Sequence, residues 1–158
     1  FTKFIWEKVG GFPEEYSHNE DYVFANKLKD IEVTIKFEKT AIAYWIPREN
    51  VKDAFVMFFR FAYGDCEARI FRPKVLLLFF RYILGVLMLV FFFIFKSYFI
   101  LNTLYLILFL YILWVIIKNY KYVRDMRAFF FLPLLQFTSD TAVLLGSVIG
   151  LGSFFRRK

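Results

Sequence analysis

The chain has 158 residues, 59% of them hydrophobic and 24 of them Phe, and a net charge of +7. That length allows one modest domain, and so apolar a composition excludes an ordinary soluble one: much of it must be buried in lipid or against a partner. A single cysteine, Cys66, excludes an internal disulfide, a single histidine, His18, argues against zinc, and no interleaved basic and aromatic motif directs the charge at nucleic acid.

Residues 1–9 carry Phe1, Phe4, Ile5, Trp6 and Val9 at helical spacing and read as a short amphipathic helix packed on a core. Phe1 falls in mid-pattern, with neither an initiator Met nor a signal peptide, so the chain reads as the C-terminal part of something longer. Gly10 and Gly11 then make a turn that residues with a Cβ resist, and Phe12 and Pro13 anchor and stiffen the loop. Glu14, Glu15, Glu20 and Asp21 gather four carboxylates close together. Asp21 opens an apolar-periodic run (Val23, Phe24, Leu28) that predicts a helix over 20–30. A carboxylate in a first helical turn is stabilised in its charged form by free backbone N–H groups. It serves either as an ordinary cap or, held on a rigid mount, as a general base. Residues 31–37 alternate apolar with polar and predict a half-buried strand. Glu38 and Lys39 turn the chain, residues 40–46 predict a second strand, and Pro47 stops it.

Between 47 and 69, Val51, Phe55, Phe58, Ala62 and Cys66 mark one face of a helix. Lys52, Asp53, Arg60, Asp65, Glu67 and Arg69 take its polar positions. Such a helix suits the membrane interface, a soluble domain's surface, or both. Residues 75–95 and 97–117 are apolar runs, each long enough at ~1.5 Å per residue to cross a bilayer core of ~30 Å. The short turn at Lys96 and Ser97 makes them an antiparallel hairpin. Arg81, the one charge in the first run, either snorkels toward headgroups or touches a lipid phosphate. Arg69, Arg72 and Lys74 precede the hairpin and Lys118, Lys121, Arg124 and Arg127 follow it, against Lys96 at the turn, so both its ends read as cytoplasmic. Residues 129–155 are apolar but interrupted by Pro133, Gln136, Thr138, Ser139, Asp140 and Thr141. They predict an in-plane or re-entrant element with Ser139 or Asp140 capping a helix from Thr141, a third span being the alternative. Ala142, Gly146 and Gly150 form a small-residue stripe that permits close helix approach.

Gly10-Gly11-Phe12, a short acidic loop, and Glu20-Asp21 opening a helix together resemble the acceptor side of family 2 (GT-A type) glycosyltransferases. A comparable helix precedes Gly-Gly-Phe in that family. Arg60-Phe61-Ala62-Tyr63-Gly64 resembles its Arg-x-x-Tyr-Gly pattern just before the membrane segments. Tyr44 to Glu49 resembles the segment after its second strand, without the His usual there. Of the Gln-x-x-Arg-Trp motif of processive members only Arg60 is matched. By motif the resemblance covers residues 1–72.

The resemblance implies a membrane-bound inverting transferase, with Asp21 as the base that deprotonates the acceptor hydroxyl, Glu20 beside it, and Gly10, Gly11 and Phe12 shaping the acceptor loop. His18, Arg48 and Arg60 are candidate contacts to a phosphate or to the acceptor. The implied fold is the α+β C-terminal part of a GT-A domain over 1–49, then an interface helix (50–72), a transmembrane hairpin (73–118), and a loop with a third membrane-associated helix (119–158), mainly α throughout. The implied partners are a nucleotide-sugar donor, a polyprenyl-phosphate-linked or glycan acceptor and the lipid bilayer, not nucleic acid. A divalent cation, Mg or Mn, is expected, with its ligands in an N-terminal half not included in these residues. The expected location is the cytoplasmic membrane, multi-pass, with the soluble part on the cytoplasmic side. The other reading is a non-catalytic membrane anchor or assembly subunit, in which residues 10–24 are a loop and helix cap.

Overall fold

The computed structural model describes residues 2–156 and contains six helices: α1 (Lys3–Lys8), α2 (Glu20–Asp30), α3 (Val51–Glu67), α4 (Pro73–Phe95), α5 (Tyr98–Val123) and α6 (Ala128–Arg156). They group into two compact units, residues 1–70 with 145–158, and residues 71–144.

In the first unit, local signals set each helix. The Thr2 hydroxyl accepts from the Ile5 amide at 3.4 Å and caps α1. Glu20 and Asp21 sit in the first turn of α2 and Lys27 and Lys29 in its last, each charge matched to the helix dipole. Asn50 caps α3, its Oδ1 accepting from the Asp53 amide and its Nδ2 donating to Asp53 Oδ2, both at 2.8 Å. Phe24 and Leu28 are the buried face of α2. On α3, Ala62 and Cys66 of the apolar stripe are buried and Val51, Phe55 and Phe58 are half-buried, while the burial also takes in Ala54, Asp65 and Glu67. The two acids stand on the inside rather than on a polar outer face.

The two strands do not form. Among the described residues there is no β-strand, and 33–49 runs as an extended segment with a turn at Lys39 and Thr40. Phe37 is 88% exposed and Tyr44 94%. Alternation supplies a face for a sheet, but a strand needs a neighbour to accept its backbone hydrogen bonds, and an isolated hairpin is marginal in water. The α+β expectation is therefore corrected: the described chain is all-helical.

In the second unit, α4 and α5 pack as an antiparallel hairpin. Pro73 opens α4, where its missing N–H costs nothing, and Lys96 closes it in a left-handed conformation (φ 52°) before Ser97 caps α5. Exposed Phe, Leu and Ile side chains cover both helices, a surface suited to lipid. Helix α6 is continuous through Pro133 and Asp140, so the expected break and cap at Ser139 or Asp140 is absent. Thr138 and Thr141 instead turn their hydroxyls back to the carbonyls of Leu134 and Phe137, at 2.8 Å each, and stay within the helix. Three helices, Pro73–Phe95, Tyr98–Val123 and Ala128–Gly152, are long and apolar enough to cross a membrane, which marks a multi-pass membrane protein.

Gly146 and Gly150 of the small-residue stripe have a partner within the first unit. A Cβ added at Gly146 would collide with the Phe59 carbonyl of α3, and one at Gly150 would lie 2.8 Å from the Tyr63 carbonyl and 2.9 Å from Cys66 Cβ. The C-terminal part of α6 thus lies backbone-close on α3, an approach open only to glycine.

Candidate functional site

The loop that begins at Gly10, Gly11 and Phe12 is assembled by two close approaches. Gly10 and Gly11 both take positive φ, +74° and +69°. The Gly11 amide donates to the Trp6 carbonyl at 2.9 Å, which folds the turn back on α1. A Cβ at Gly11 would sit 2.7 Å from the Trp6 ring, so the indole occupies the space a side chain would need. Phe12 then stacks on Phe24 of α2, ring centres 4.4 Å apart, and Pro13 is buried.

The far end of the loop is pinned to α3. Both the Ser17 amide and the Ser17 hydroxyl donate to Glu67 Oε2, at 2.9 and 2.6 Å. Asn19 donates from Nδ2 to Asp65 Oδ1 at 2.9 Å and to the Phe61 carbonyl at 3.0 Å. With its side chain so engaged, Asn19 makes no side-chain cap to α2 and instead adopts the left-handed backbone (φ 62°) that Asn tolerates. Between these anchors His18 lies against Gly64, where a Cβ would meet His18 Cβ at 2.7 Å. The glycine of Arg-x-x-Tyr-Gly is thus the seat on which the loop rests. Asp65 and Glu67 carry this clamp, although the helical period marks them only as surface charges. Two acids flanking a buried Cys on one helical turn were the available signal.

His18, Val56, Phe59, Arg60 and Tyr63 line a cavity of about 380 Å³. The structure therefore brings together two of the three candidate contact residues, His18 and Arg60. Arg48 is exposed on the extended segment and is not part of this lining. Asp21 and Glu20 are exposed in the first turn of α2, and Asp21 Oδ1 accepts from the Tyr22 amide at 2.7 Å. Neither lines the His18 cavity. Cys66 is buried, which raises its thiol pKa above the ordinary value; the Ser147 hydroxyl pulls the other way and the Asp65 charge adds to the rise. Among the described residues no three His, Cys, Asp or Glu side chains gather to hold a metal ion.

The second unit holds a polar cluster of its own. Asp140, 4% exposed, accepts on Oδ2 from Arg81 Nη2 at 2.6 Å, from the Tyr82 hydroxyl at 2.9 Å and from the Tyr111 hydroxyl at 2.7 Å. Gln136 Nε2 donates to Oδ1 at 2.9 Å. The Arg81 guanidinium stands over the Tyr111 ring, 4.3 Å from its centre. Arg81 therefore pairs with Asp140, a partner that its reading as a headgroup or lipid-phosphate contact did not include. Four donors and an opposite charge make a carboxylate tolerable inside an apolar helix bundle.

Searches against protein-family models, curated proteins and solved structures found no match.

Proposed function

We propose that the chain is the acceptor-side and membrane-anchoring part of an inverting glycosyltransferase that moves a sugar from a nucleotide-sugar to a polyprenyl-phosphate-linked or glycan acceptor. One observation carries this reading. The stretch that resembles the family signature, Gly10 to Asp21, is held as a single shaped loop, with positive-φ glycines at one end and clamps to α3 at the other. A loop that only joins two helices has no need of four long-range hydrogen bonds to a third.

In this reading Asp21 accepts the proton of the acceptor hydroxyl as that oxygen bonds to the anomeric carbon and the donor diphosphate departs. Glu20 adds negative charge beside it. Arg60 and His18, across the loop, hold the acceptor or its phosphate, since a guanidinium matches phosphate oxygens well. The Mg or Mn ion implied by the resemblance would be held by residues outside those described, together with the nucleotide. The basic residues flanking the hairpin, against Lys96 at its turn, favour a cytoplasmic face for the loop, where nucleotide-sugars are made.

The exposure of Asp21 and its short bond from the Tyr22 amide favour the alternative, a non-catalytic anchor or assembly subunit in which Asp21 is a first-turn cap. Transfer of labelled sugar from a nucleotide-sugar donor decides between them, in membranes bearing the protein as its gene encodes it. Asp21→Asn is expected to lower transfer at least a hundredfold with donor binding retained. Unchanged turnover would leave the anchor.

A further inference from the structure

One chain of hydrogen bonds in the His18 cavity has no part in proton removal by Asp21. Ser17 has one hydroxyl proton and gives it to the Glu67 carboxylate at 2.6 Å. Its oxygen therefore faces the His18 ring as an acceptor, and Nδ1, 2.9 Å away, carries the proton. In the neutral ring that leaves Nε2 with its lone pair, the less common tautomer of a histidine in water. Glu67 is buried and the His18 Cβ sits close against Gly64, so both ends of this relay are packed against α3.

The remaining walls are amphipathic. Phe59 and Tyr63, one turn apart on α3, stack with ring centres 6.4 Å apart and planes 17° from parallel, and Val56 completes the apolar lining. Tyr63 also meets the His18 ring edge-on at 6.3 Å. Arg60, exposed, supplies donors to the same cavity. A pyranose has the matching character: C–H faces that lie on aromatic rings, with hydroxyls around its edge that need both donors and acceptors.

We propose that the His18 cavity is a carbohydrate subsite, in which His18 Nε2 accepts a hydrogen bond from a sugar hydroxyl, Arg60 donates to a neighbouring oxygen, and the Glu67–Ser17 relay fixes the imidazole tautomer. His18 is the contacting group; Ser17 and Glu67 are positioning residues. The choice of sugar as ligand rests on the glycosyltransferase reading, but the relay does not.

Because His18 is the only histidine in the chain, nitrogen-15 NMR of histidine-labelled protein in nanodiscs reads it without ambiguity. The expected wild-type state has the proton on Nδ1. Ser17→Ala, which removes the middle link with little change in volume, is expected to shift the ring toward the Nε2–H tautomer. Glu67→Gln should do the same, and Ser17→Ala keeps the test open if that buried variant fails to fold. Methyl glucoside, methyl galactoside and N-acetylglucosamine are then titrated in, with inorganic phosphate as the contrasting probe. At least one sugar should move the Nε2 signal, and Ser17→Ala should weaken its binding about fivefold to tenfold, the worth of one hydrogen bond. A wild-type ring protonated on Nε2 overturns the relay. The expected tautomer with a response to phosphate alone, or to none of the probes, overturns the carbohydrate subsite. Neither result depends on transfer by Asp21, so failure here is distinguishable from failure of the enzyme assignment.

Discussion

Single residues decide two local structures in this protein. Gly64 has no side chain because the His18 backbone and Cβ occupy its place. Gly64→Val is therefore expected to lift residues 17–19 off α3 and cost about 1–3 kcal/mol, read as a lower thermal midpoint in detergent. The same variant should expose Ser17 and Asn19 amides to rapid hydrogen exchange. Asp140 is the second case. Removing it strands a guanidinium among apolar helices, and removing Arg81 strands a carboxylate. Asp140→Ala is expected to destabilise by about 3 kcal/mol, whereas the double change Arg81→Leu with Asp140→Leu should cost clearly less, as a double-mutant cycle would register. A double-variant loss equal to the sum of the losses in Arg81→Leu and Asp140→Leu alone would show that the two side chains are not coupled. The sequence presented Arg81 and Asp140 as two separate anomalies in two apolar runs. Their pairing is long-range, across 59 positions, and no local pattern encodes it.

At the level of elements, legibility followed how local each cause was. Helix α2 runs Glu20–Asp30, as read from its acidic first turn and apolar period, because caps and dipoles act within a few residues. The loop signature was visible as residue types, but its clamp was not. Asp65 and Glu67 are ordinary helix-surface letters until Ser17 and Asn19 arrive from some fifty positions away. The strands failed for a related reason: a period of two describes which way side chains point and says nothing about who pairs with the backbone. The packing of α3 on α6 makes its own prediction. Gly146→Leu should force the helices apart, since an added Cβ already meets the Phe59 carbonyl. The buried Cys66 thiol reports this contact. Its raised pKa means the packed state favours the neutral thiol. That contribution is complete below the ordinary thiol range of about 8.5 and is lost as pH rises through the higher folded value. Alkylation of Cys66 by a maleimide should therefore be slow near pH 8 in the native chain and much faster in Gly146→Leu. Equal rates would place Cys66 outside the contact.

For the molecule as a whole, the testable quantity is sidedness. In a Cys66→Ala background, a cysteine introduced at Ser97 should react with a membrane-impermeant maleimide added to intact cells, whereas one at Lys74 should react only after permeabilisation. The opposite pattern would invert the basic-residue argument and remove the loop from the compartment where nucleotide-sugars are made. The tract from 33 to 49 has a practical consequence for anyone handling the protein. Its amides and carbonyls belong to no ladder, and Ile35, Phe37, Ile42 and Tyr44 stand bare beside them. Such a ribbon is a docking template for any foreign strand, a second copy of itself included. Purified at high concentration, the chain is expected to self-associate through this ribbon, and a proline or lysine placed at Ile35 should keep it dispersed.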